Sequence, residues 1–425
     1  MPALDSLPEE LQTHICSFYY HHELTVLMRV NNSLRCLIEP MLYSQVELHS
    51  QGYHEHYRYL SEVDIIPDER RNYCCEDPPD CEYCHDSDAT LRASFFMKLF
   101  EDSDESDCHP RARREALAEH VQFLCLHFYV DEIIVDPLGI FACFQNLGHL
   151  ELEMDWPTNE TWDTAVRTFM AKSRAPLDNL RTLRLCRYVP KEFVQYLCRG
   201  TTEITDLELA LLDRPIDRDD DASDLENFEH PDYTPRALAA LSGAVDITKQ
   251  FPCLTRLRLC RPIELRNEGL QGDLVSTVSD TAILKEWATL IRATRGTLEH
   301  LILDQHDFAE GTEPDSDSSS DRDYPVDHAY GPSYDRFVEH ALPALLEDVP
   351  GAEWPCLKSV HLHGFDVPPQ DDLDIGQPQR LLGVIGLRFE PLGVDVRSDL
   401  GRWILYAHSD GVVRLGGSRW DSEDD

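Results

Sequence analysis

The residues best equipped for chemistry lie between positions 74 and 109, in the run Cys74-Cys75-Glu-Asp-Pro-Pro-Asp-Cys81-Glu-Tyr-Cys84-His85 and, further on, Cys108-His109. A Cys-x-x-Cys pair six residues after another cysteine, with imidazoles close by, offers soft thiolate and imidazole donors of the kind that hold tetrahedral zinc. Cys75, Cys81, Cys84 and either His85 or Cys108 are the candidate ligands. The Asp-Pro-Pro-Asp context reads equally well as a solvated insertion whose thiols are incidental. Zinc is therefore the one cofactor the sequence suggests, and the alternative of no cofactor stays open. Elsewhere the spacing does not fit catalysis. His54-Glu55-His56 places its histidines two apart, which does not put them on one helix face, and neither a GxSxG elbow nor a phosphate loop ending in GK[ST] occurs. The chain reads as a non-enzyme.

The elements around this cluster follow from a repeat. From about residue 116 the pattern Leu-x-x-Leu-x-Leu, with conservative replacements, recurs at Val121/Leu124/Leu126, Leu147/Leu150/Leu152, Leu180/Leu183/Leu185, Ile204/Leu207/Leu209, Leu254/Leu257/Leu259, Leu298/Leu301/Leu303 and Leu357/Val360/Leu362. This is the strand signature of a leucine-rich repeat. Amphipathic stripes lie between the copies, at Trp162–Met170, Ile283–Ile291 and Tyr334–Leu345, the last bent or shortened by Pro343, and Thr234-Pro235 opens another. Units this small cannot bury their own apolar faces, so the expected fold is α/β: stacked parallel strands with helices outside, in an irregular solenoid over 116–380. Acidic segments at 213–232 and 309–328 read as disordered insertions. GLRFEPLGVDV and RWILYAH-SDG-VVRL alternate at strand period around an Asp-Gly turn, which predicts a β cap over 381–417 covering the open end, followed by an acidic tail at 418–425.

In such strands the leucines point into the core and the residues between them face the other side. That row comprises Cys125, Glu151, Arg184, Glu208, Arg258, Ile302 and His361, with His149, Thr182, Arg256 and His300 ahead of them. Glu151, Arg184, Glu208, Arg256, Arg258 and His361 form the candidate substrate surface. One reading has the arginines offering planar donors to a carboxylate or phosphate of a substrate protein; the other has the charges pairing across strands and recognising nothing. Cys186 and Cys260, and likewise Cys253 and Cys356, occupy matching repeat positions and read as architecture rather than nucleophiles.

At the front of the chain, Leu7, Leu11, Ile15 and Phe18 recur at helical spacing behind Pro8; Leu24, Leu27 and Met28 make a second set, and Leu34, Leu37 and Ile38 a third that is expected to end before Pro40. About fifty residues bury too little surface to be robust alone, so a module of this size is expected to rest apolar surface on a partner. The order LPEEL, Ile15, Leu24, Met28-Arg29-Val30, Leu34, Leu37 and Pro40-Met41-Leu42-Tyr43 resembles the F-box motif over residues 4–48. Tyr19-Tyr20-His21-His22 departs from it where a Leu-Pro break is usual, and Ser33-Leu34 where basic and aromatic residues are common. The resemblance implies docking on a Skp-type adaptor of a cullin–RING ubiquitin ligase through Leu7, Pro8, Leu11, Ile15, Leu24, Val30, Leu34 and Leu37. With the repeats behind it, the chain resembles the substrate receptors of SCF ligases, a non-degradative F-box scaffold being the alternative. Residues 49–115 then read as a linker carrying the Cys-rich insertion.

The formal charge of −41 over 425 residues would repel duplex nucleic acid and anionic membranes, so neither is expected as a partner. Without an apolar leader or an eighteen-residue apolar run, and with fourteen cysteines expected as thiols, the sequence points to cytoplasm or nucleus.

Overall fold

The computed structural model describes residues 7–48, 86–100, 108–129, 137–155, 177–187, 189, 191–198, 201–211, 251–263, 277–310, 332–347, 353–363, 365, 378–399, 403–407 and 413–417. It divides into two units, Met1–Leu152 with Ala171–Leu180, and Glu153–Met170 with Arg181–Asp425. Both combine helices with strands in an α/β arrangement, and the strand pairing that dominates is parallel. Among the described residues no helix is long and apolar enough to cross a membrane.

In the first unit, helices α1 (Glu9–Cys16), α2 (His21–Leu27) and α3 (Asn32–Ser44) are each started by local chemistry. The Pro8 carbonyl accepts the Leu11 and Gln12 amides at 3.0 Å, the Glu23 carboxylate accepts the Tyr20 amide at 2.9 Å, and Asn31 Oδ1 accepts the Leu34 amide at 2.8 Å. Cys16, Leu24, Leu34 and Ile38 form a small core, flanked by Leu27, Met28, Leu37, Met41 and Leu42. Contrary to the sequence expectation, α3 does not stop before Pro40 but runs through it to Ser44. An interior proline costs about 3 kcal/mol; the partial burial of Met41 and Leu42 beyond it offsets this at roughly 1–2 kcal/mol each. Packing outweighs the backbone rule.

Strand β1 (Gln45–Leu48) leaves α3 at once and pairs parallel with β2 (Phe123–Tyr129), Val46 beside Leu124 and Leu48 beside Leu126. Tyr43-x-x-Val46-x-Leu48 is thus a further copy of the leucine pattern, hidden by its tyrosine and by overlap with the helical motif. The segment read as a linker, 49–115, also contains α4 (Asp86–Phe100) and most of α5 (Cys108–Ala118). Ala93, Phe96, Met97 and Phe100 of α4 are buried, and Phe96 and Phe100 meet Phe144 at ring-centroid distances of 6.0 and 4.9 Å. From α5, Arg113 grips the buried carboxylate of Glu39 on α3 in a bidentate pair, one arm at 2.6 Å. Helix α6 (Pro137–Phe141) and β3 (His149–Asp155), which pairs with β2, complete the described elements of this unit.

In the second unit β4 (Thr182–Arg187), β5 (Asp206–Leu211), β6 (Arg256–Ile263), β7 (His300–Glu310), β8 (Ser359–His363) and β9 (Asp395–Asp399) pair in that order, all parallel. A backbone device repeats at each step from β4 to β8: two successive amides donate to one carbonyl of the preceding copy. Thr205 and Asp206 use Arg181, Thr255 and Arg256 use Thr205, Glu299 and His300 use Thr255, and Lys358 and Ser359 use Glu299, at 2.7–3.1 Å. The leucine-pattern residues from Leu183 to Leu362 are buried, which at about 1.5–3 kcal/mol per side chain makes them the main stabilising set. Helices α7 (Lys191–Cys198), α8 (Thr277–Thr294), α9 (Pro332–His340) and α10 (Leu342–Leu346) alternate with the strands, the last two split at Ala341 just before Pro343.

The C-terminal part differs from expectation. GLRF lies in α11 (Pro378–Phe389), not in a strand, because Ile385 and Phe389, four apart on one helix face, are both fully buried. A 3-10 turn (Glu390–Leu392) and Gly393, whose φ of 78° suits glycine, then lead into β9. Strands β10 (Trp403–Ala407) and β11 (Val413–Gly417) form an antiparallel hairpin, but β10 pairs parallel with Asp307–Glu310 of β7 rather than covering the end of the row. Ala309 and Glu310, read as the start of an acidic insertion, belong to β7; the rest of that segment and 213–232 lie outside the described residues, as do the stripes at 162–170 and 234–235.

Candidate functional site

Two surfaces hold the sequence-selected residues. On the three-helix module, the eight candidates separate by burial. Leu24 and Leu34 are 3% exposed and form the module's own core, so they are not docking residues; a three-helix unit of this length needs them inside. Leu7, Ile15 and Leu37 are half-buried, whereas Pro8, Leu11 and Val30 are exposed, Leu11 at 49% and Val30 at 65%. Four more large apolar side chains, not selected from the sequence, are exposed on the same module: Phe18, Tyr19, Tyr20 and Val26. The unusual Tyr19-Tyr20-His21-His22 stretch was the available signal, since two tyrosines in a helix connection have no core to enter. His14 and Phe18 meet edge to face at 5.0 Å, and Tyr20 stacks with His22 at 6.1 Å, which gives these exposed rings partners on the surface itself.

The strand row is the opposite case. Arg184, Glu208 and Arg258 stand in register on β4, β5 and β6. Arg184 lies 3.4 Å from Glu208, Glu208 lies 3.7 Å from Arg258, and Arg258 is hydrogen-bonded to Asp304 of β7. All four are buried, as are Glu151 and His361. The expectation that this row offers open arginines to a substrate is therefore corrected: opposite charges on neighbouring strands approach closely enough to neutralise one another. Burial by itself would lower the Arg258 pKa; the carboxylates of Glu208 and Asp304 outweigh it and the guanidinium is raised. Arg256 lies 4.0 Å from Asp206 one step back on the same strands. Glu151 is 3.8 Å from His149, which itself stacks on Phe123 at 4.2 Å. His361 meets His363 edge to face, and His300 Nδ1 and Ser359 Oγ share a hydrogen bond of 2.8 Å.

Sequence inspection missed Asp304, which follows the last leucine of its copy in the place held by Cys186 and Cys260 in theirs. Burial first, then the nearby Asp304, pushes the Cys260 thiol well up, so it stays protonated and is a poor nucleophile. On the leucine face, Arg261 reaches from β6 to Asp280 of α8 and Gln305 of β7, while Arg336 of α9 holds the other Asp280 oxygen at 2.5 Å. These groups tie helices to the sheet.

Of the zinc candidates, Cys75, Cys81, Cys84 and His85 lie outside the described residues; Cys108 opens α5, and its side chain lies outside them as well. Among the described residues no group of three or more His, Cys, Asp or Glu is placed to hold a metal. The sequence matches no protein-family model and no curated protein.

Proposed function

We propose that the chain is a receptor subunit of an SCF-type cullin–RING ubiquitin ligase: an F-box-like helical module docks on a Skp-type adaptor, and a leucine-rich-repeat-like solenoid carries the protein to be modified. The observation that carries the reading is the exposure of Leu11, Phe18, Tyr20, Val26 and Val30 over a small core of four buried residues among those described. A module so small gains little by displaying large apolar groups unless a partner covers them. The F-box-like order of residues selects which partner. The receptor performs no covalent step; it contributes proximity and orientation. Substrate contact is assigned to exposed parts of the repeat region, since the arginines of the row are engaged with carboxylates.

Co-purification of the full chain with a Skp-type adaptor tests this. Leu11→Ala with Val30→Ala, both exposed and so compatible with folding, is expected to weaken capture at least tenfold, at about 1–2 kcal/mol per truncated anchor. Retained capture with an unchanged melting curve overturns the reading.

A further inference from the structure

Among the described residues the last strand of the parallel row is paired on one side. Among the described residues β9 pairs with β8 only, and α11 with its 3-10 turn, which pack beside it, expose Val384, Leu387 and Leu392, Leu387 at 80%. An unpaired edge next to exposed apolar groups is a template for another strand. The register identifies which one. The Asp395 amide donates to the Lys358 carbonyl of β8 at 2.9 Å, and in a parallel ladder alternate residues address the same neighbour. Val396 therefore directs its N–H and C=O outward. If an antiparallel strand is centred there, so that two copies of Val396 exchange both hydrogen bonds, Asp395 of each copy falls opposite Arg397 of the other. Both side chains are exposed, 49% and 60%, and form a 2.7 Å pair with each other along the strand, so they are free to exchange across it. Centring on Arg397 instead would oppose two guanidiniums and use backbone groups already bonded to β8. A two-fold axis perpendicular to the sheet also keeps both leucine faces on one side, which brings α11 toward its copy.

We propose that the chain forms a two-fold homodimer by antiparallel pairing of the free edges of β9, centred on Val396. Backbone parity and charge register are both satisfied at that centre, and a closed two-fold requires such self-complementarity. The proposal does not depend on the adaptor reading.

Sedimentation equilibrium of the full chain from about 1 to about 100 µM is expected to show a monomer–dimer equilibrium. Val396→Pro removes the outward donor while sparing the ladder to β8, as proline on an edge strand can, and is expected to give monomer with an unchanged far-ultraviolet spectrum. Asp395→Arg puts two cations opposite one another and is expected to raise the dissociation constant about tenfold. Adding Arg397→Asp to it restores opposite charges in the reversed sense and is expected to recover the dimer. A chain that stays monomeric at the highest concentration overturns the proposal, as does a dimer indifferent to Val396→Pro or a charge exchange that fails to rescue. The charge pair decides the matter even if the proline variant does not fold.

Discussion

The helical module and the strand row reverse the usual relation between residue type and exposure. In the module, Phe18, Tyr20, Val26 and Val30 stand in solvent; in the row, Arg184, Glu208, Arg258 and Asp304 are withdrawn from it. An exposed apolar side chain costs nothing locally but leaves burial ungained until a partner arrives, whereas a buried charge is tolerable only while its counter-charge is in place. On the proposed reading the module's exposed groups await a partner, while the row's paired charges hold neighbouring strands in register.

The sharpest way to break this contrast is Glu208→Ala. It removes the carboxylate that lies between Arg184 and Arg258, both buried, and removing one partner from such a network costs about 3–5 kcal/mol. Chemical denaturation of full-length protein is expected to show that loss. Replacement of the network by well-packed apolar side chains of similar volume, Arg184→Met with Glu208→Leu, Arg258→Met and Asp304→Leu, is expected to recover most of it. If Glu208→Ala is neutral, the row is hydrated rather than withdrawn, and the arginines return as candidate substrate contacts.

A smaller effect separates the module's core from its surface. Leu34→Ala is expected to cost about 2–4 kcal/mol, enough to open a unit with so small a buried core, and hydrogen exchange over 9–44 reports it. Val30→Ala, on the exposed side, is expected to change that exchange by less than about 0.5 kcal/mol. Equal losses at the two positions would erase the distinction between core and docking surface.

The leucine pattern was a good guide to strands because each side chain's burial depends on a period-two backbone, and all seven copies from Val121 to Leu362 coincide with β2 to β8. It failed where another rule outranked it. Tyr43 hid the copy at β1, Pro40 falsely ended α3, and the alternation in GLRFEPLGVDV mimicked a strand although Ile385 and Phe389 bury a helix face. The site was less legible. Periodicity assigned Arg184 and Arg258 to the non-leucine face correctly, but their burial depends on which charges face them on the neighbouring strands, and Asp304 sits outside the motif that drew attention to them. Likewise the pattern in 7–37 does not say which leucines fill a core and which are left out, since that is settled by how three helices cross.

The smallest expected effect sharpens the contrast at its midpoint, where charges are paired but not withdrawn. Glu347, just after α10, accepts from Arg292 Nε at 2.8 Å and Nη2 at 2.5 Å, and from Arg295 at 3.1 Å. Its side chain is 28% exposed and that of Arg292 is 42% exposed, so solvent screens the pair far more than it screens Arg258. The hydrogen bond from Arg292, opposed by some desolvation and helped by Arg295, lowers the Glu347 pKa below its ordinary 4.5. A carboxylate whose folded pKa is depressed contributes stability that is fully present above the unfolded value and is lost as pH falls through the folded one. Glu347→Gln is therefore expected to cost about 1 kcal/mol or less at pH 7 and to narrow the gap from the unsubstituted chain below about pH 4.5. Glu208→Ala, which leaves buried guanidiniums with one carboxylate fewer and little solvent to screen them, is expected to cost more than Glu347→Gln at pH 7. Melting curves of the two variants at pH 7 make the comparison directly: equal losses would mean that the row is as solvated as the Glu347 pair.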